Sequence, residues 1–294
     1  MDGNWSIDES AALGFSRSRS ITREYAKSFY FVSRFLPRGK RYASYSLYAI
    51  CRATDEAVDC KTDVPRPENL AKVKKSIDSV YGDAPLESDI LRALRITVNE
   101  YRIPKHYFYQ LLEGVYMDLH RKHYENFDEL YSYCYHVAGV IGLMMLKIFG
   151  SQDPRAEHHA VNLGIAMQLT NILRDIKEDY ERGRIYLPRD EMEHFRVSES
   201  HISEENLDES FKALLRFNIR RAREYYANAR PGIRMIDNAR SRFVICAMKE
   251  IYAGILYSIE NNDYDIFSQR AHVNFMGKVR LALTTVLRGE YLKT

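Results

Sequence analysis

With 294 residues, of which 46% are hydrophobic, the chain is long and apolar enough to bury a sizeable core, which excludes a natively disordered polymer. Its formal net charge is +3 and charged residues make up 28%, so the totals demand neither nucleic acid nor a membrane surface, while the slight basic excess suits a small anionic substrate. Cys51, Cys60, Cys134 and Cys246 stand far apart without a C-x-x-C pair; they read as reduced thiols of a cytoplasmic protein rather than as a zinc site or a disulfide framework.

Residues 1–18 are polar and hold no apolar stretch of the kind a secretory signal needs, so they are expected to form a flexible tail ahead of one domain spanning 19–294. From there apolar residues recur at helical spacing and no run alternates with period two, which predicts an all-α fold. Punctuation residues at 36–41, 61–67, 82–85, 103–104, 150–154, 183–188 and 231–232 divide the chain into eight to ten predicted helices. No linker, repeat or composition shift splits it further.

The first informative helix contains Tyr48, Arg52, Asp55 and Asp59, three or four positions apart and so on one face. Carboxylates four apart repel by about a few tenths of a kcal/mol on an isolated helix, so such a pair is either solvated or held by a cation. Leu47, Ile50, Cys51, Ala57 and Val58 make the helix apolar around much of its circumference, against full solvation. The apolar run from Val137 to Leu146 covers about half of the ~20 residues that a membrane span needs. It carries Gly139 and Gly142, which weaken a helix and so mark a close approach, by a ligand tail or by another helix. A second stripe follows, with Asn171, Asp175 and Asp179 at successive fourth positions after Gln168. Oxygen ligands without His or Cys suit a hard cation, and magnesium takes one or two carboxylates and completes its octahedron with water and phosphate. Arg52 and Arg174 lie beside the acids, placed either to grip a diphosphate or to pair with those acids. The basic turn Arg182-Gly-Arg-Ile-Tyr-Leu-Pro188 would then fold over an anionic site or remain a solvated loop. The last stretch, from Asn274 to Thr294, is broken by Lys278, Arg280, Arg288, Glu290 and Lys293, and would at most lie on a membrane surface.

Taken together, these residues resemble the squalene/phytoene synthases. The likeness rests on Asp55-Glu-Ala-Val-Asp59, on Asn171-Ile-Leu-Arg-Asp175-Ile-Lys-Glu-Asp179 with its Arg-Gly-Arg-Ile-Tyr-Leu-Pro, on Ala26-Lys27-Ser28-Phe29-Tyr30, on Tyr133-Cys-Tyr-His-Val-Ala-Gly139-Val-Ile-Gly142, and on Ile259-Glu-Asn-Asn-Asp-Tyr264-Asp-Ile-Phe267. It implies a helical isoprenoid synthase bundle around a central cavity, and head-to-head condensation of two prenyl diphosphates through a cyclopropyl diphosphate. It further implies magnesium on Asp55, Asp59, Asn171, Asp175 and Asp179, and diphosphate contacts from Tyr25, Lys27, Ser28, Arg52, Arg174 and Arg270. Tyr48, Gln168 and Tyr252 match positions lining the reaction site; Phe29 and Tyr133 join Tyr48 and Tyr252 as ring faces for a cation. Val137, Gly139 and Gly142 match the hydrocarbon channel. Glu56 stands where many members have Asp and is expected to act behind Asp55.

The ending around Tyr264 to Arg270 favours phytoene formation from geranylgeranyl diphosphate over squalene or dehydrosqualene formation from farnesyl diphosphate; NADPH would be needed only for squalene. The rivals are a head-to-tail elongase or cyclase, which carries D-D-x-x-D on both helices, and a non-catalytic relative serving as a scaffold, which would be free to lose its acids. The expected partners are prenyl diphosphates and, for product release, the surface of a membrane, with no role for nucleic acid. Oligomeric state is not legible.

Overall fold

The computed structural model describes residues 9–59, 66–289 and 291–292, and every regular element among them is helical. In chain order these are α1 (Glu9–Tyr25), α2 (Lys27–Ser33), α3 (Arg38–Asp59), α4 (Arg66–Val80), α5 (Asp89–Glu100), α6 (Lys105–His120), α7 (Phe127–Cys134), α8 (Val140–Phe149), α9 (Ala156–Arg174), α10 (Ile176–Glu181), α11 (Arg189–His194), α12 (Glu199–Ser203), α13 (Glu209–Ile233), α14 (Ala239–Asn261) and α15 (Phe275–Arg288). The all-α expectation holds, with more and shorter helices than the punctuation suggested. Pro231 and Gly232 do not end α13; it runs on to Ile233. The call on residues 61–67 falls largely outside the described residues, where only the backbone of Arg66 and Pro67 is described, as the start of α4.

The N-terminal boundary needs correction. Residues 9–18 are helical, because Ala11 and Phe15 on one side of α1 are buried, and α1 packs on α3 and α5. Ser10 Oγ donates to Asp89 Oδ1 at 2.6 Å and Arg17 pairs with Asp89 at 2.9 Å, at the start of α5. The sequence looks tail-like because this polar helix finds its partner some 80 residues away.

α7 and α8 form one helix joined by a π-helical turn, Tyr135–Gly139. Phe127–Phe149 is long and apolar enough to cross a membrane, with a mean hydropathy of 1.4, but half of that span is buried inside the bundle, where this helix packs against α6 and α9. α9 is the central helix, lying along α13 and touching α7, α8, α10 and α14. Two apolar clusters surround it. One is built from α3, α5, α6, α8 and the first half of α14, the other from α7, α9, α13 and the second half of α14. Val161, Leu163, Met167 and Tyr252 pack against both, and the last three of these line a cavity between the clusters.

Candidate active site

The cavity has a volume of about 360 Å³, within the range of small-molecule sites. Arg52, Asp55, Gln168 and Asn171 lie at one end, and Phe149, Ala156, Ile233 and Ile236 at the other. Along α9 the lining runs from Ala156 to Asn171, roughly 22 Å at the α-helical rise. α3, α9 and α14 all run from the apolar floor to the polar mouth, so the partial negative charge of the α9 C-terminus falls at Asn171 to Arg174, where it favours a cation.

Phe29, Tyr48, Arg52, Asp55, Val137, Gly142, Gln168, Asn171 and Tyr252 line the cavity as the sequence reading expects. Phe29 and Tyr48 stand with ring centroids 6.3 Å apart. Burial pushes the Tyr48 phenol up to about 12 and raises that of Tyr252, so both rings stay neutral and offer π faces rather than bases. His159 is the one histidine among the described lining residues, and it lies by the floor, with Nδ1 2.6 Å from the Asn228 carbonyl.

At the mouth Arg52 donates to Glu56 at 2.9 Å and lies 4.5 Å from the Tyr25 ring centroid, which gives Glu56 its place as the residue that holds the arginine. Asp175 is gripped from two sides. Arg174 Nε and Nη2 donate to it at 2.7 and 2.5 Å, and Arg270 Nε and Nη2 at 2.7 and 2.9 Å. Burial favours its neutral form, but hydrogen bonds from Arg174 and Arg270 outweigh this and hold it below the usual carboxylate range. The arginines are therefore paired with the acids, as the salt-bridge alternative anticipated, each committing two of its five donors to Asp175. Lys27 and Ser28 open α2, between the lining residues Ala26 and Phe29. The backbone of Asp59 lies in the last turn of α3, and its side chain is outside the described residues.

The acidic stripe survives a kink. α9 stops at Arg174, yet Asp175 N donates to the Asn171 carbonyl at 2.9 Å and Asp179 N to the Asp175 carbonyl at 2.8 Å across the junction. Asn171 Nδ2 donates to Gln168 Oε1 at 3.4 Å, while its Oδ1 is buried without a hydrogen-bond partner. A buried acceptor left open costs roughly 1–3 kcal/mol, so this atom fits a bound cation. No three His, Cys, Asp or Glu side chains converge on one point among the described residues. Magnesium does not require that, because it takes one or two carboxylates with phosphate and water.

Of the residues expected to line the cavity wall, Tyr133 and Gly139 do not reach it. Tyr133 is buried behind it, stacked on Tyr186 at 5.0 Å, with its hydroxyl donating to Asp118 Oδ2 at 3.1 Å. Gly139 is absent from the lining because it faces α9 and its own turn; a Cβ there would lie 3.3 Å from Val161 Cγ1 and 3.2 Å from Tyr135 Cδ2. Asp118 was not legible, because α6 offers no second acid three or four positions away from it. It also accepts from Tyr186 Oη at 2.8 Å, which ties down the basic turn whose Ile185, Tyr186 and Leu187 are buried. That turn is a packed segment, not a solvated loop, and brings Arg184 to Asp179.

Burial, then the neighbouring Asp175 charge, push Asp179 up to about 7, against the pull of Arg182 and Arg184. Its folded form holds a proton that the unfolded chain has already lost, so stability falls as pH rises from about 4 to about 7 and is level beyond. Asp179→Asn in metal-free protein is expected to raise the melting temperature above pH 7, with the gain vanishing near pH 4; a pH-independent difference in melting scans would contradict this.

The comparisons agree with this architecture. Residues 22–276 match the squalene/phytoene synthase family. A phytoene synthase from Arthrospira platensis is 37% identical, with 93% of each chain covered, and a 15-cis-phytoene synthase from Synechocystis is 37% identical over 93% of this chain and 85% of its own. The crystal structure of a dehydrosqualene synthase superposes with a TM-score of 0.88 at 29% identity, covering 95% of this chain and 97% of that one. Squalene synthase HpnC from Alicyclobacillus acidocaldarius gives 0.81 at 26% identity, over 88% of this chain and 98% of its own. With the family match spanning most of the length and the acidic, arginine-rich mouth opening into an apolar cavity, this chain belongs to the squalene/phytoene synthase family.

Proposed function

We propose that the protein is a phytoene synthase that joins two geranylgeranyl diphosphates head to head, C1 to C1, through a cyclopropyl diphosphate, with loss of two diphosphates and two protons. The observation that carries the reading is the cavity itself, charged at the mouth, apolar toward its floor and roughly 22 Å from end to end along α9. The phytoene synthases from Arthrospira platensis and Synechocystis support the product.

Asp55, Asp59, Asn171, Asp175 and Asp179 would hold magnesium, the open Asn171 Oδ1 being the atom that calls for it. When bound, magnesium neutralises the charge that develops on the departing diphosphate. Arg52, Arg174 and Arg270 supply further donors, and Asp175 fixes two of them before substrate arrives, so little reorganisation accompanies ionisation. Phe29, Tyr48 and Tyr252 present neutral rings to the allylic cation. The apolar walls keep water from it. With the lining histidine at the floor, about twelve residues or ~18 Å along α9 from Asn171, the released diphosphate is the base that takes the final proton.

The likeness to a dehydrosqualene synthase gives the second reading, coupling of farnesyl diphosphate. Purified protein incubated with magnesium and each donor, with and without NADPH, separates the two by mass spectrometry of the hydrocarbon. The C20 donor should yield phytoene without NADPH. A C30 product alone would establish the second reading, and no hydrocarbon from either donor would point to a scaffold.

Magnesium together with a non-hydrolysable prenyl diphosphate is expected to raise the melting temperature well beyond magnesium alone, because the protein offers too few ligands until the diphosphate completes the shell. Equal shifts in differential scanning fluorimetry would indicate a structural ion.

A further inference from the structure

The helix α15 turns an apolar face outward. Met276, Leu283 and Leu287 are 71%, 59% and 87% exposed, and at spacings of seven and four they share one side of the helix. Phe275 and Val286 widen that side, while Ala282 and Thr285 bury the opposite one. Phe35 extends the patch: its ring is half exposed and reaches Phe275 through Phe31, with centroid distances of 6.5 and 5.8 Å. Lys278, Arg280 and Arg288 are the charged residues of α15, which contains no Asp or Glu. A helix on a water-facing surface ordinarily shows its polar side to solvent. Apolar residues edged only by cations are the pattern of a helix lying among lipid headgroups.

We propose that the outward face of α15, with Phe35, docks the protein on an anionic lipid bilayer. Arg280 stands among Met276, Leu283 and Leu287 on the helix wheel, so two-fold pairing with a second copy would set cation against cation, whereas anionic headgroups neutralise it. On its inner side α15 also adjoins the cavity: Lys278 lies close enough to feel the charge of Lys27, which opens α2 two residues before the lining residue Phe29. A hydrocarbon leaving the cavity there meets lipid and not water. The docking rests on exposed residues and not on the identity of the product, and its test reads binding without turnover, so it stands or falls separately from the proposed reaction.

Vesicle flotation tests it. The full chain should float with phosphatidylcholine vesicles that contain phosphatidylglycerol and much less with phosphatidylcholine alone, and high salt should reduce binding. Arg280→Gln and Arg288→Gln should each weaken binding about fivefold. Leu283→Glu/Leu287→Glu, and Met276→Glu as a milder variant, should weaken it at least about tenfold while circular dichroism and activity in detergent stay unchanged. The proposal is overturned if the wild-type chain does not float with the anionic vesicles, or if the glutamate variants float as well as it does. It is also overturned if sedimentation shows a dimer that Leu283→Glu/Leu287→Glu separates without any loss of vesicle binding.

Discussion

Asp175→Ala is expected to lower kcat/KM by at least about a hundredfold, ~3 kcal/mol of transition-state stabilisation. The carboxylate sits between Arg174 and Arg270, 14% exposed, and holds both guanidinium planes, Arg270 also pairing with Glu178 at 3.3 Å. Its loss removes a ligand from the acidic stripe and leaves two arginines to find new partners just where a diphosphate must be received. Asp175→Asn is the sharper test, since it keeps the shape and one acceptor oxygen but removes the charge. Asp55→Ala, at the facing wall, should act similarly with less cost in stability, because Asp55 is exposed at the mouth whereas Asp175 is half-buried. Folded variants with near wild-type turnover in steady-state assays would reduce the arginine–aspartate cluster to a structural salt bridge.

Gly142→Leu is expected to destabilise the whole bundle rather than to select a shorter substrate. A Cβ on Gly142 would lie 2.4 Å from the Ala160 carbonyl oxygen and 3.0 Å from its carbon, both main-chain atoms of α9 that no rotamer change can move. Gly164 meets the mirror-image constraint, its Cβ falling 2.3 Å from the Ala138 carbonyl oxygen. Even Gly142→Ala forces α8 and α9 apart, at an overpacking cost of ~1–3 kcal/mol, and should lower the melting temperature by at least about 2 °C. Donors of both lengths should lose activity together. Chain length should instead answer to the floor. Ala229→Leu adds methylenes into the cavity at about 0.8 kcal/mol for each substrate methylene displaced, so the C20 donor should lose roughly tenfold more than the C15 donor. A well-folded Gly142→Leu variant that discriminates between the donors would make Gly142 a determinant of chain length.

Helical periodicity and four-residue acid spacing were enough to bring Asp55, Asn171 and Asp175 to one end of the bundle, because both signals are local. What escaped the sequence depends on distant partners. Phe15 is buried because α1 packs on α3 and α5, its ring meeting Tyr42 of α3 at 5.9 Å. Asp118 gains its role only when the turn after α10 folds back and Tyr186 donates to it. Tyr133 carries the residue type expected of a cavity wall, but that same acid draws its hydroxyl away. The glycine pair was legible as a close approach and not as an approach of what: the backbone of α9, not a ligand, lies against Gly142.

The two apolar clusters share α14, and Val161, Leu163, Met167 and Tyr252 pack against both beside the cavity. A prenyl tail lying between the clusters becomes a layer of core contributed by the substrate. Amide hydrogen exchange should then slow together in both clusters when the site fills, so that occupancy is felt as cooperativity of the fold.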